Sequence, residues 1–296
     1  MVTGLCPPIA TPFLNDEFSP HRFSENIARW NEQPLDGYVV LGSNGEAPLL
    51  DDAERAAVIR EARRVVPASR HLIAGAGRQS TRATIRAVRE AFDLGADAAL
   101  VGVPDYYRPA MTDQVLREHY LRVADASPGP IIVYSVPFYT GLPIEASLFD
   151  ALLRHERIAG IKDSSGDLES LGGFIDTVRR SGREASVLIG NASVLAAGLR
   201  MGADGAVLAV DAVAPRECAE IRSLAASGRH DEAVAANKRL APLAEAVTRG
   251  HGIGGLKAAM DMIGWHGGDP RPPLQRAGAS ARAEIASLLK GLGLAA

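Results

Sequence analysis

Cysteine is nearly absent from this chain: Cys6 and Cys218 are the only two in 296 residues. The N-terminus carries no basic segment followed by a long apolar run. Neither a disulfide framework nor a secretory leader is expected, and a cytoplasmic location is. No apolar run approaches the roughly 20 residues that a membrane-spanning helix needs, so no membrane partner is expected. An excess of one charge is missing too. The 32 basic side chains meet 35 acidic ones without a basic block, which leaves no electrostatic footprint for nucleic acid. The histidines, His21, His71, His119, His155, His230, His251 and His266, are scattered without the close spacing of a metal site. No metal and no other cofactor is expected. A Gly-x-Gly-x-x-Gly run after the first apolar segment is also lacking, which argues against a nicotinamide-dependent oxidoreductase.

What is present is a regular alternation of short apolar segments with amphipathic stretches. The apolar segments run over Thr3 to Ala10, Gly37 to Leu41, His71 to Gly75, Ala98 to Val101, Ile131 to Tyr134, Ile158 to Ile161, Ser186 to Ile189 and Gly205 to Leu208. Between them, Asp51 to Val65, Ser80 to Leu94 and Thr112 to Ala124 begin with capping residues and read as helices. Gly95-Ala96-Asp97 and Gly202-Ala203-Asp204 look like helix-ending glycines with a short turn into the next strand. Eight units of similar size favour an α/β chain closed into a (β/α)8 TIM barrel over a doubly wound open sheet. After Leu208 the pattern becomes helical, over Pro215 to Ala226, His230 to Arg249, Ile253 to Ile263 and Ala279 to Leu289. The expected organisation is a catalytic barrel over residues 1–225 and a C-terminal helical extension over 226–296.

Lys162 carries the strongest chemical signal. It ends the apolar run Ile158-Ala159-Gly160-Ile161, with Gly160 leaving little side chain beneath it and the polar turn Asp163-Ser164-Ser165-Gly166-Asp167 after it. A strand end in a parallel barrel faces the mouth where active sites are built, and an amine there can attack a carbonyl to form a Schiff base. A snorkelling or salt-bridged surface lysine is the ordinary alternative. Tyr134 ends the preceding strand, where its hydroxyl can relay protons for such an amine; alone it would read as a core aromatic. Gly42-Ser43-Asn44-Gly45-Glu46 follows the second strand. Viewed alone it is a polar turn, but Ser43 and Asn44 at the same mouth supply donors for a small carboxylate. Glu46 reads as a structural hydrogen-bonding residue rather than a catalytic acid. Tyr106 and Tyr107 follow the fourth strand, and Phe138 and Tyr139 the fifth.

These motifs together resemble the pyruvate-dependent class I aldolase and lyase family that includes dihydrodipicolinate synthase and N-acetylneuraminate lyase. The resemblance covers essentially the whole chain, through Gly42-Ser43-Asn44-Gly45-Glu46, Tyr106-Tyr107, Tyr134 and Gly160-Ile161-Lys162-Asp163 in that order. It implies that Lys162 forms the Schiff base and Tyr134 shuttles the proton. It also implies that Ser43 and Asn44 hold a pyruvate carboxylate and that Tyr106 reaches toward a neighbouring subunit's site. A homo-oligomer, a tetramer built from tight dimers, is implied as well. Asp105-Tyr106-Tyr107-Arg108, Tyr134-Ser135-Val136-Pro137 and Ala246-Val247-Thr248-Arg249 look most like the 4-hydroxy-2-oxoglutarate aldolases, which release pyruvate and glyoxylate. Dihydrodipicolinate synthases usually have two threonines in place of Ser43 and Asn44, and an arginine in place of Tyr139. A tyrosine does not reproduce the bidentate clamp of a guanidinium. The expectation is therefore a class I aldolase acting on a small 2-oxo acid and an aldehyde, with cleavage of 4-hydroxy-2-oxoglutarate as the main reading. The alternative is another pyruvate-dependent aldolase, dehydratase or synthase of the family.

Overall fold

The computed structural model describes residues 1–295. Eight strands form one parallel sheet: β1 (Gly4–Leu5), β2 (Gly37–Val40), β3 (His71–Gly75), β4 (Ala98–Gly102), β5 (Ile131–Ser135), β6 (Ile158–Asp163), β7 (Ser186–Ile189) and β8 (Gly205–Ala206). Neighbours are hydrogen-bonded in chain order from β2 round to β8 and then β1. The seam between β1 and β2 closes through a parallel bridge of Pro8 with Val39, where Ile9 N donates to Val39 O at 3.0 Å and Val39 N to Pro7 O at 2.9 Å. The sheet is thus a (β/α)8 barrel, not an open one. The first strand is shorter than the sequence suggests because Pro7 and Pro8 have no N–H to give to a ladder.

Local chemistry explains the helices between the strands. Helix Asp52–Val65 starts at a capping box: Asp51 accepts from Glu54 N at 2.9 Å and Glu54 accepts from Asp51 N at 3.0 Å. Ser80 and Thr112 cap helices Thr81–Asp93 and Asp113–Asp125 by accepting from Ala83 N and Val115 N. The two Gly-Ala-Asp turns do more than end helices. Gly95 and Gly202 take φ of 94° and 106°, and the aspartate after each reaches the preceding strand. Asp97 accepts from Leu72 N and Asp204 from Val187 N, both at 2.8 Å. Asp36 does the same for Leu5 N at 2.8 Å. Each carboxylate accepts from the N–H of a strand's second residue.

Two elements depart from the sequence pattern. A short antiparallel hairpin, Phe13–Leu14 with Glu17–Phe18, precedes the first helix Pro20–Asn31, turning through Asn15 and Asp16 at φ of 52° and 67°. Asn and Asp tolerate that left-handed conformation better than other side chains. In the C-terminal region, helix Pro215–Ala226 supplies the barrel's eighth unit and is followed by helices His230–Glu245, Gly252–Met262 and Ala279–Gly291. The first of these three does not run unbroken to Arg249. Ala246–Gly250 forms a π-helical turn, where the hydroxyl of Thr248 bonds Ala244 O at 2.6 Å and Pro242 lacks a ladder N–H.

The apolar residues sort into two shells. Cys6, Val39, Ile73, Leu100, Ile132, Leu188 and Val207 fill the barrel interior, while Tyr38, Val40, Val133 and Ile161 pack outward against the helices. Alternation along a strand then decides which side chains reach the mouth. Tyr134 follows Ile132 on the inner face of β5, and Lys162 follows Gly160 on β6. No helix among the described residues is long and apolar enough to cross a membrane.

Candidate active site

The parallel register sets Tyr134 directly beside Lys162. Gly160 is needed below them because a Cβ there would collide with the backbone carbonyl of Ser186 on β7. The lysine side chain is drawn into the barrel, only 4% of the residue exposed, and its Nζ lies 4.3 Å from the centre of the Tyr134 ring. Contact with an aromatic face offsets part of the desolvation of an ammonium without binding its lone pair when neutral. Among the described residues no carboxylate stands within 4.0 Å of this amine. The Tyr134 hydroxyl points to Ser43, with Oγ at 3.4 Å.

Ser43 sits on a loop whose backbone is constrained at both ends. Leu41 and Glu46 take φ of 56° and 57°, unusual for side-chain-bearing residues and tolerated where the surroundings fix them. At Glu46 the fixing group is a buried ion pair. Lys257 Nζ lies 2.5 Å from Glu46 Oε1, both side chains fully buried, and Lys257 also donates to Thr11 O at 2.8 Å and Asp269 O at 2.9 Å. The other Glu46 oxygen accepts from Arg271 N at 2.7 Å. Burial pulls the Lys257 pKa down, and the Glu46 charge opposes the shift. The glutamate's carboxylate is thus occupied by structural partners, which staple the Ser43 loop to the C-terminal helices.

The amine opens into a chamber lined by Ser43, Asn44, Tyr134, Phe138, Tyr139 and Lys162, with Ser164 and Asn191 beside them. The π-helical turn caps this chamber through Val247, Thr248 and Arg249. Arg249 stacks over Phe138, 5.5 Å from the ring centre, and donates to Ser165 O at 3.2 Å. Asn44 donates to Pro8 O at 3.3 Å, holding its amide at the rim. A second chamber adjoins the first across Ser43, Tyr134 and Tyr139 and reaches to the β2, β3 and β4 ends.

Of the sequence-derived candidates, Lys162, Tyr134, Ser43, Asn44 and Tyr139 meet at this mouth. Tyr106 does not: it is 78% exposed, edge-on to Tyr107, and lines neither chamber of its own subunit. Two residues escaped sequence reasoning. Lys257 is the lone charge in the apolar helical run Gly252 to Met260, and Arg78 follows β3 in Gly75-Ala76-Gly77-Arg78, a strand end like those that drew attention elsewhere. No group of three or more His, Cys, Asp or Glu side chains suited to a metal occurs among the described residues.

Comparison with known proteins agrees with this architecture. The family model described as the dihydrodipicolinate synthetase family matches residues 1–292. An uncharacterised DapA-like lyase of Halobacterium salinarum is 35% identical over 98% of this chain and 94% of its own length. The 4-hydroxy-tetrahydrodipicolinate synthase of Ruegeria pomeroyi is 32% identical over 99% of this chain and all of its own. Among solved structures, the chloride-inhibited dihydrodipicolinate synthase of Acinetobacter baumannii, complexed with pyruvate, superposes with a TM-score of 0.90 at 29% identity, over 99% of this chain and 100% of that one. With the barrel, the buried strand-end lysine and a full-length match in hand, the chain belongs to the dihydrodipicolinate synthetase family, as a class I, Schiff-base-forming carbon–carbon lyase.

Proposed function

We propose that Lys162 forms an imine with C2 of pyruvate or a pyruvate-derived 2-oxo acid, and that the enzyme makes or breaks the carbon–carbon bond at C3. The observation that carries this reading is the contrast between two buried lysines. Lys257 spends its donors on Glu46, Thr11 and Asp269, whereas Lys162 has no carboxylate partner among the described residues and opens into the chamber. In the condensing direction the neutral amine adds to the carbonyl and expels water. Loss of a C3 proton from the protonated imine gives an enamine, which attacks the aldehyde. Hydrolysis then returns the amine. Tyr134 is the proton carrier in this proposal, with Ser43 and Asn44 holding the 2-oxo acid's carboxylate.

The relatives favour synthase-type condensation, since the Ruegeria pomeroyi protein carries that activity in its name and the Acinetobacter baumannii one was solved with pyruvate. A second reading is cleavage of 4-hydroxy-2-oxoglutarate to pyruvate and glyoxylate. Ser43, Asn44 and Tyr139 support it, because Tyr139 stands where a synthase usually has its carboxylate-clamping arginine. In that direction Tyr134 takes the C4 hydroxyl proton as the C3–C4 bond breaks, and the imine accepts the electron pair as an enamine.

A single assay separates the two. Purified enzyme is given either pyruvate with aspartate semialdehyde or 4-hydroxy-2-oxoglutarate alone, and pyruvate is followed with time. Consumption in the first mixture establishes the synthase reading, and release with equal glyoxylate in the second establishes cleavage. No change in either, with folded enzyme, rejects both.

A further inference from the structure

The second chamber contains a cation without an ion-pair partner among the described residues. Arg78 lines it together with Leu41, Leu100, Val103 and Tyr134. Among the described residues its guanidinium makes one hydrogen bond, from Nη1 to Gly77 O at 2.9 Å, and meets no carboxylate within 4.0 Å. Three of the nearby carboxylates are engaged elsewhere, and Glu90 acts on Arg78 only from beyond ion-pair distance. Asp105 accepts from Gln79 Nε2 at 2.5 Å, Glu46 holds Lys257, and Asp52 pairs with Arg55 at 3.6 Å and Arg86 at 3.2 Å. Burial pulls the Arg78 pKa down to about 10, so it remains charged at neutral pH. The residue is half-buried, and a guanidinium partly shielded from water with four N–H groups free of protein partners among the described residues gains from an anionic partner.

We propose that Arg78 is an anion subsite, which holds the distal carboxylate of a substrate whose reacting carbon lies at Lys162. It rests on the imine reading above and names the substrate class that reading leaves open. Arg78 follows β3 and Lys162 sits on β6, three strand spacings round the wall, roughly 14 Å along its curve. The two side chains line adjoining chambers that share Ser43, Tyr134 and Tyr139. A substrate that occupies both carries its anionic group several carbons from the reacting carbon, and glyoxylate is too short to reach. Arg249, at the mouth of both chambers, is already held against Phe138 and Ser165.

Two measurements test this. Glutarate, a dicarboxylate with no carbonyl to form an imine, is titrated calorimetrically into wild type, R78Q and R78K. Saturable binding by wild type, abolished in R78Q and weakened but retained in R78K, supports the subsite. No binding by wild type, or equal binding by R78Q, overturns it. With pyruvate as donor, the ratio of kcat/KM for succinic semialdehyde to that for butanal falls by about tenfold in R78Q, the loss of one charge-assisted contact. An unchanged ratio also overturns the proposal. Failure of pyruvate to be trapped on wild-type enzyme would reject the imine reading instead, and the glutarate titration would still decide Arg78.

Discussion

Asp211 offers a quantitative test of the folded core. It lies in the short turn after β8, fully buried, with neither carboxylate oxygen in a closed hydrogen bond. Burial raises its pKa from 3.8 to about 7; the Cys218 thiol, the Leu208 backbone and the Arg222 charge pull only partly the other way. The folded carboxyl therefore keeps its proton where the unfolded chain has lost it. Folding takes up a proton across that window, so stability is highest below the unfolded pKa and falls as pH rises from about 4 to about 7. A shift of this size is worth about 4 kcal/mol at pH 8, as an order of magnitude. Asn cannot ionise and has nearly the same shape, so Asp211→Asn removes the penalty. Urea unfolding followed by tryptophan fluorescence suits the site, because Trp30 Nε1 donates to Ala212 O at 3.0 Å. The stability advantage of D211N over wild type should widen by about 3 kcal/mol between pH 5 and pH 8. A pH-independent difference, or a variant less stable than wild type at pH 8, refutes the reasoning.

Glu46→Ala leaves the Lys257 ammonium buried without its counter-charge, at a cost of about 3–5 kcal/mol in chemical denaturation; the double change E46L/K257M should recover most of it. A loss below about 1 kcal/mol in the single variant would mean that the pair is not the staple described. Tyr134→Phe should slow turnover by about 100-fold while leaving pyruvate trapping on Lys162 intact, and full-rate turnover would remove the tyrosine from the proton path. If Tyr106 acts in a neighbouring subunit of a homo-oligomer, K162A and Y106A, each inactive alone, should regain part of the activity when mixed and reassembled. Light scattering on the same samples reports the assembly, and a monomeric wild type or an inactive mixture rejects that role.

The barrel was legible because each strand is a compact apolar run bounded by glycine, proline or a capping residue, and because Asp51, Ser80 and Thr112 announce their helices. The β1 ladder was overestimated since hydropathy does not register that Pro7 and Pro8 lack donors. The hairpin at Phe13 to Phe18 was missed because strands this short carry no periodicity, and the turn depends on Asn15 and Asp16 accepting positive φ. At the site, strand-end position brought Lys162 and Tyr134 forward, and alternation within β5 and β6 explains why both face inward. Lys257 shows what a sequence withholds. It is one of four lysines in the chain and as buried as Lys162, yet only the fold reveals that Glu46, more than two hundred residues away, neutralises it. Arg78 stayed hidden for the same reason: an unpaired charge is a fact about absent neighbours.

The central claim is that Lys162 is the imine-forming amine, and borohydride trapping with pyruvate tests it most directly. Reduction should add a single pyruvate-derived group to wild-type protein, mapped by peptide mass spectrometry to Lys162 and absent from K162A. A reduced adduct on any other lysine, or trapping that persists in K162A, would contradict the account.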